Sequence, residues 1–241
     1  MNKQLNNKIH SGDNFFTIQK SAFESKKSTV ISFLNPFSYY EVVKEESLIN
    51  DVDVYFSDGA LLCILHNLFL PKITRASFDY SSIAEPFLKF VESENKRIAI
   101  IGATAQENTL AVENLKLKLP DLNIIYQRDG YIKNPTETIA ELNELKPEVI
   151  LVGMGTPYQE RFSIHAKHQL SAPAVIITCG GFLTQTSIKP DYYYPVVKKL
   201  GLRWLQRIIM HKHVRDRVLK KYPKFTVSYL YKMIGYKFAK K

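Results

Sequence analysis

The chain has 241 residues, room for one large domain or a domain with an appendage, and 45% of them are hydrophobic, enough for a sizeable core. Its net charge of +10 is uneven: residues 198–241 hold 14 Lys or Arg against one acid, a net +13, which leaves −3 on residues 1–197. No apolar run approaches the roughly 20 residues of a spanning helix, the amino end lacks a secretory leader's apolar core, and Cys63 and Cys179 stand singly in apolar runs, which points to a cytoplasmic chain with reduced thiols.

In chain order, residues 1–27 are polar and read as a loosely ordered lead-in. Short apolar runs then recur at 29–34, 52–56, 97–102, 123–127, 148–153 and 174–180. Runs this short and apolar on both faces predict buried parallel strands. Helical spacing fills 106–119, stopped by Pro120, and 136–146, stopped by Pro147. The alternation predicts an α/β fold over residues 1–195: a Rossmann-like, largely parallel sheet with flanking helices. Residues 196–241 form a second unit, a basic amphipathic helical appendage. Two helices are expected there, 196–212 and 214–238, with Pro223 opening or breaking the second. Bases interleaved with aromatics on such helices are the pattern of a membrane-surface segment.

Several strand ends carry candidate chemistry. Asp58, in Ser57-Asp58-Gly59, is either a general base for a substrate hydroxyl or a turn and cap residue before the stretch ALLCILHNL. Asp51 and Asp53 have the spacing of a carboxylate pair that holds Mg²⁺ or Mn²⁺ on a diphosphate. They precede their strand, so a solvated strand entry is the simpler reading. Gly102 either frees N–H groups for a phosphate at a helix N-terminus or connects strand to helix. Tyr131 either stacks on a base or covers a sheet edge.

The densest cluster is VILVGMGTPYQERF at 149–162. Gly153 and Gly155 let the backbone turn tightly against a ligand, and Pro157 opens a helix. Gln159, Glu160 and Arg161 then arrive at the carboxyl end of a strand, where open α/β sheets bind ligands. Gly180 and Gly181 repeat the device ahead of Thr184 and Gln185, with plain turn chemistry as the alternative. His165 and His168 lack a third ligand, so no metal site and no cofactor are expected.

Taken in order, LNP at 34–36, SDG at 57–59, Arg75 with Asp79, IIGA at 100–103, DGYI at 129–132, VGMGTPYQERF at 152–162 and LGLRWLQR at 200–207 resemble the WecG/TagA/CpsF family of bacterial glycosyltransferases. The resemblance implies inverting, metal-independent transfer of an N-acetylmannosamine-type sugar from a UDP donor. The implied acceptor is a polyprenyl-diphosphate-linked sugar at the inner face of the cell membrane, in cell-surface polysaccharide synthesis. It implies Asp58 as base, Asn35 beside the sugar, Arg75 on phosphate, Gln159 and Glu160 at the donor, and Tyr131 near the nucleoside. It departs at Phe33, where some members carry threonine, and at residues 182–186, where Thr184 or Gln185 replaces an aspartate's contacts.

The expected partners are therefore a UDP-sugar, a lipid-linked acceptor and an anionic membrane surface met by Arg203, Arg207, Arg215 and Arg217, with a homo-oligomer also in view. Two other readings stay open: a nucleic-acid-binding module using the tail, and a metal-dependent nucleotide-sugar enzyme using Asp51 and Asp53. The acidic body and the strand-end motifs favour a small ligand over nucleic acid.

Overall fold

A computed structural model describes residues 2–189, 194, 197, 206, 209–210 and 212–238. Among them seven strands form one sheet: β1 (Ile9–His10), β2 (Thr29–Leu34), β3 (Val54–Ser57), β4 (Ile98–Gly102), β5 (Ile124–Arg128), β6 (Val149–Gly153) and β7 (Val175–Thr178). Their order is β1-β3-β2-β7-β6-β4-β5, and every pair is parallel. The apolar runs explain why. Successive residues of a strand point to opposite faces, so Ile98 and Ile100 feed one hydrophobic layer while Ala99 and Ile101 feed the other. β6 divides in the same way, with Val149 and Leu151 on one face and Ile150 and Val152 on the other.

Helices cover both faces. Those bearing on the site are α3 (Pro36–Val42), α5 (Ala60–Asn67), α6 (Ala84–Ser93), α9 (Tyr158–Gln169) and α10 (Phe182–Ile188). The helices α7 (Ala105–Lys118) and α8 (Pro135–Leu145) form where the 3.6-residue spacing predicts them. The first three strands build one half of the sheet and the last four the other. The halves join where β2 pairs with β7. Loops leaving β2 and β3 diverge there from those leaving β6 and β7, which opens a crevice at the carboxyl ends.

Three expectations change. The lead-in is ordered: α1 (Lys3–Asn7), β1 and α2 (Phe15–Glu24) fold onto the body, with Leu5 and Phe15 fully buried. Its apolar residues are few but correctly spaced, which the polar composition masks. Pro157 does not open α9; it forms a cis bond with Thr156, and the helix starts at Tyr158. Pro223 does not interrupt the tail, because it lies inside one continuous helix, α11 (Lys212–Phe238). It is exposed, on a side of the helix where a carbonyl left unpaired by proline can be reached by water. Packing holds the helix beyond it. Phe225, Tyr229 and Met233 are buried, and Phe225 stands edge-on to Tyr39 and Tyr40 of α3 at ring distances of 5.5 and 5.2 Å. The first tail helix and the boundary at 195/196 fall largely outside the described residues.

Candidate active site

The crevice holds an open cleft lined by residues from both halves of the sheet. One wall comes from β2 and β3. Asn35 caps α3: its Oδ1 accepts from the N–H groups of Phe37 (2.9 Å) and Ser38 (3.1 Å). Capping makes Asn35 structural as well as a cleft residue. Asp58 follows β3, and its N–H donates to the Leu34 carbonyl at 2.8 Å. It does not cap α5; Gly59 takes that position, with no side-chain cap bond.

The Asp58 carboxylate instead meets Arg75. Arg75 Nη2 donates to Asp58 Oδ1 at 3.3 Å and to Asp79 Oδ2 at 3.2 Å, while its Nε donates to the Asp58 carbonyl at 2.8 Å. The loop that carries Arg75 is tied to the sheet by the Ala76 N–H on the Ser57 carbonyl at 2.9 Å. Asp79 is buried and fixed in turn by Ser81, whose N–H and Oγ both donate to Asp79 Oδ1, at 2.9 and 2.5 Å. Asp58 keeps 20% of its side-chain surface open and lines the cleft with its orientation fixed from behind, while the buried Asp79 also belongs to the lining.

The opposite wall comes from β6 and β7. Gly155 (φ +76°) and Gly180 (φ +52°) adopt backbone that L side chains rarely enter. Gln159 lines the cleft and spans both loops. Its Oε1 accepts from the Gly180 N–H at 3.2 Å, and its Nε2 donates to Glu160 Oε1 at 2.9 Å. Glu160 itself is fully buried beneath that wall. Its Oε1 also accepts from Ser32 Oγ (2.8 Å) and Thr156 Oγ1 (3.1 Å), while Oε2 has no partner. Ser32 receives a further bond from Thr178 Oγ1 at 2.9 Å. Burial pushes the Glu160 carboxyl above its ordinary value of 4.5, against the pull of these hydrogen bonds.

The structure thus gathers Asn35, Asp58, Gly155, Gln159, Gly181 and Gln185 around one cleft, with Arg75 behind Asp58. The expected Gln159–Glu160 pair divides: Gln159 faces the cleft, whereas Glu160 supports it from below and is closed to a donor in this conformation. Gly102, Gly153, Tyr131 and Thr184 lie off the lining. At Gly102 a Cβ would sit 2.4 Å from the Gly153 carbonyl oxygen, so close strand packing explains that glycine. Tyr131 stands exposed beyond β5. Arg161 pairs with Glu45, the residue that precedes α4 (Glu46–Asp51). Arg203 and Arg207 fall outside the described residues; Arg215 is exposed on α11, and Arg217 lies on the same helix.

Asp51 and Asp53 lie at the opposite, amino end of the sheet. Asp53 Oδ2 accepts from the Val30 N–H at 2.8 Å and Oδ1 from Lys167 Nζ at 2.7 Å, so both oxygens clamp the fold. The residues that sequence reasoning missed are Phe37, Ser38, Ser77, Phe78, Thr156, Thr178, Cys179 and Phe182. Two signals were readable: Ser77 and Phe78 separate Arg75 from Asp79, and Thr178 and Cys179 break an apolar strand just before its glycines.

The Glycosyl transferase WecG/TagA/CpsF family model matches residues 4–239. The chain is 40% identical over 211 residues to the UDP-Gal:alpha-D-GlcNAc-diphosphoundecaprenol beta-1,4-galactosyltransferase of Shigella boydii, covering 86% of this chain and 88% of that one. It is 24% identical over 216 residues to the N-acetylglucosaminyldiphosphoundecaprenol N-acetyl-beta-D-mannosaminyltransferase of Bacillus subtilis (strain 168), covering 88% and 83%. A Staphylococcus aureus (strain MRSA252) protein of that same name is 26% identical over 165 residues, covering 68% and 63%.

Proposed function

The chain belongs to the WecG/TagA/CpsF family of glycosyltransferases, and from that premise we propose that it transfers galactose from UDP-galactose to N-acetylglucosaminyl-diphospho-undecaprenol in cell-surface polysaccharide synthesis. The observation that carries this reading is the cleft at the carboxyl end of the sheet, where Asp58 is the open carboxylate. The 40% identity to a galactosyltransferase, against 24% and 26% to mannosaminyltransferases, supports galactose over the N-acetylmannosamine of the first expectation.

In this reaction the acceptor hydroxyl attacks C1 of the sugar as Asp58 takes its proton. The bond from C1 to the β-phosphate oxygen breaks and UDP leaves from the opposite face. A β-linked product from an α-linked donor is an inversion, and a single base suffices for it. Arg75 has two parts in this scheme. It orients Asp58 through both the carbonyl and the carboxylate, and it also supplies positive charge to the departing diphosphate. Gln159, held by Gly180 and Glu160, fixes the donor-side loops before substrate arrives. Among the described residues no helix is long and apolar enough to cross a membrane. The enzyme meets its lipid-linked acceptor as a peripheral protein, through the basic tail.

The deciding experiment offers the purified full chain a vesicle-borne N-acetylglucosaminyl-diphospho-polyprenol with UDP-galactose, UDP-N-acetylmannosamine, UDP-N-acetylglucosamine or UDP-glucose. Transfer from UDP-galactose in preference to the others is expected. Transfer from UDP-N-acetylmannosamine alone would move the donor assignment to the other relatives' chemistry, and transfer from none would overturn the reading.

A further inference from the structure

Among the described residues, α11 is held to the body on one side only. Phe225, Tyr229 and Met233, spaced by four, turn inward against α3 and α5. Val227, Tyr231 and Ile234, spaced by four and three, form a second stripe on the same helix that nothing covers among the described residues. Lys220 and Lys224 are exposed beside it. α5 repeats the pattern. Leu62, Cys63, Leu65 and His66 are buried, yet Ile64 and Leu68, one turn apart, stay 59% and 60% exposed. Isolated exposed aliphatics are ordinary. Here two such stripes lie on helices that pack against each other, with Leu61 and Leu230 half-buried in one shared cluster.

Both helices border the cleft. α5 begins directly after Asp58-Gly59. α11 crosses α3 at the cleft's edge: Lys221 Nζ stands 4.4 Å over the ring of Phe37, which lines the cleft, and Tyr40 O–H donates to the Lys224 carbonyl at 3.2 Å. Asp58 thus lies at the start of α5, and the cleft lining meets α11 through Phe37.

We propose that the outward stripe of α5 (Ile64, Leu68) joins that of α11 (Val227, Tyr231, Ile234) as one docking surface for an anionic bilayer, and that it seats the cleft mouth against the headgroups. The proposal rests on the proposed function for its purpose, delivery of a lipid-linked acceptor, but not for its test. Charge selects the occupant. Residues 212–238 carry eight Lys or Arg against one acid, which repels a second copy of the same face and attracts an anionic surface. Aliphatic and tyrosine side chains between lysines suit the interfacial layer of a bilayer. The tail was the expected contact; α5 adds one from the catalytic body, adjacent to the base.

The test is flotation of the full chain with phosphatidylcholine vesicles, with and without phosphatidylglycerol. Wild type should float with the anionic vesicles. I64S/L68S should float about tenfold less, transfer far less to vesicle-borne acceptor, and keep its rate on a short-chain, water-soluble acceptor. I64W/L68W should float at lower anionic content, because tryptophan favours the interface; misfolding does not mimic that gain. Unchanged flotation of the serine pair overturns the proposal. So does dissociation of an oligomer with flotation intact, which would assign the face to a second copy. If the serine pair melts at lower temperature, the tryptophan pair decides, and no gain overturns the proposal. Absence of transfer to the soluble acceptor by wild type would instead defeat the glycosyl-transfer reading and leave the flotation result standing.

Discussion

The two ends of the sheet use the same chemistry for opposite purposes. At the amino end, Asp53 sits between the Val30 N–H and Lys167, with the Asp51 carbonyl also on Lys167 Nζ at 2.8 Å. At the carboxyl end, Asp58 sits against Arg75. Each is an aspartate paired with one base beside a buried strand. The difference lies in what remains open. Both oxygens of Asp53 serve the fold, whereas Arg75 binds Asp58 from behind and divides its own donors with Asp79. The twist and crossovers of a parallel sheet splay its loops at the carboxyl end, so the same pair there borders a cleft. Position in the topology separates a clamp from a candidate base.

The largest expected effect breaks the comparison at its catalytic side. Asp58→Asn keeps the side chain's shape and removes its basicity, so kcat should fall by about 10²–10⁴-fold, the range for loss of a general base. UDP binding, read by calorimetry, should be retained. Full turnover would remove Asp58 from the reaction. Next is Arg75→Lys. Lysine keeps the charge but not the planar fork that reaches the Asp58 carbonyl, its carboxylate and Asp79 together. A loss on the order of 10²-fold in kcat/KM is expected, the scale for one electrostatic contact. An unchanged rate would mean that charge alone matters at this position.

Much of the fold was legible because β4, β6 and β7 are apolar on both faces, a pattern that surface segments cannot copy. β1 was not, since two residues, Ile9 and His10, make a strand only by pairing with Tyr55 and Phe56 of β3. The site divides in the same way. Asp58 and Gln159 were legible as polar residues directly after apolar strands. The role of Glu160 was not, because Gln159 and Glu160 read alike in sequence, and only the fold shows which is covered. Its hydrogen-bond partner Ser32 lies 128 positions away, and Thr178, which secures Ser32, lies 146 positions from that serine. Arg75 was legible only through family resemblance, since the loop that carries it has no periodicity.

Glu160 gives a pH test of the buried wall. Its folded carboxyl titrates above the ordinary 4.5, so folding favours the protonated form. That contribution is complete below pH 4.5 and is lost as pH rises through the folded value, because ionisation becomes more costly in the folded state than in the unfolded one. Glu160→Gln has no such titration. Its stability relative to wild type should therefore rise with pH across that window, in urea melts run from below pH 4.5 upward. Glu160→Ala strands Ser32, Thr156 and Gln159 instead and should cost about 1–3 kcal/mol. A pH-independent difference between the Gln variant and wild type would mean that the carboxyl titrates normally.

The smallest effect tests the clamp. Asp53→Asn keeps an oxygen for the Val30 N–H and loses the charge facing Lys167, a pair partly open to water. Such pairs contribute little, so unfolding free energy should fall by about 1 kcal/mol or less, with sugar transfer unchanged in rate and in its response to EDTA. Asp58→Asn should show the reverse pattern, a large loss of rate with little loss of stability. The two variants make the same chemical change to two similarly paired aspartates, so a rate loss in Asp53→Asn that Mn²⁺ restores would break the distinction between the two ends and return catalysis to the Asp51–Asp53 pair. Without that loss, the contrast between the variants assigns the chemistry to the end where the loops part.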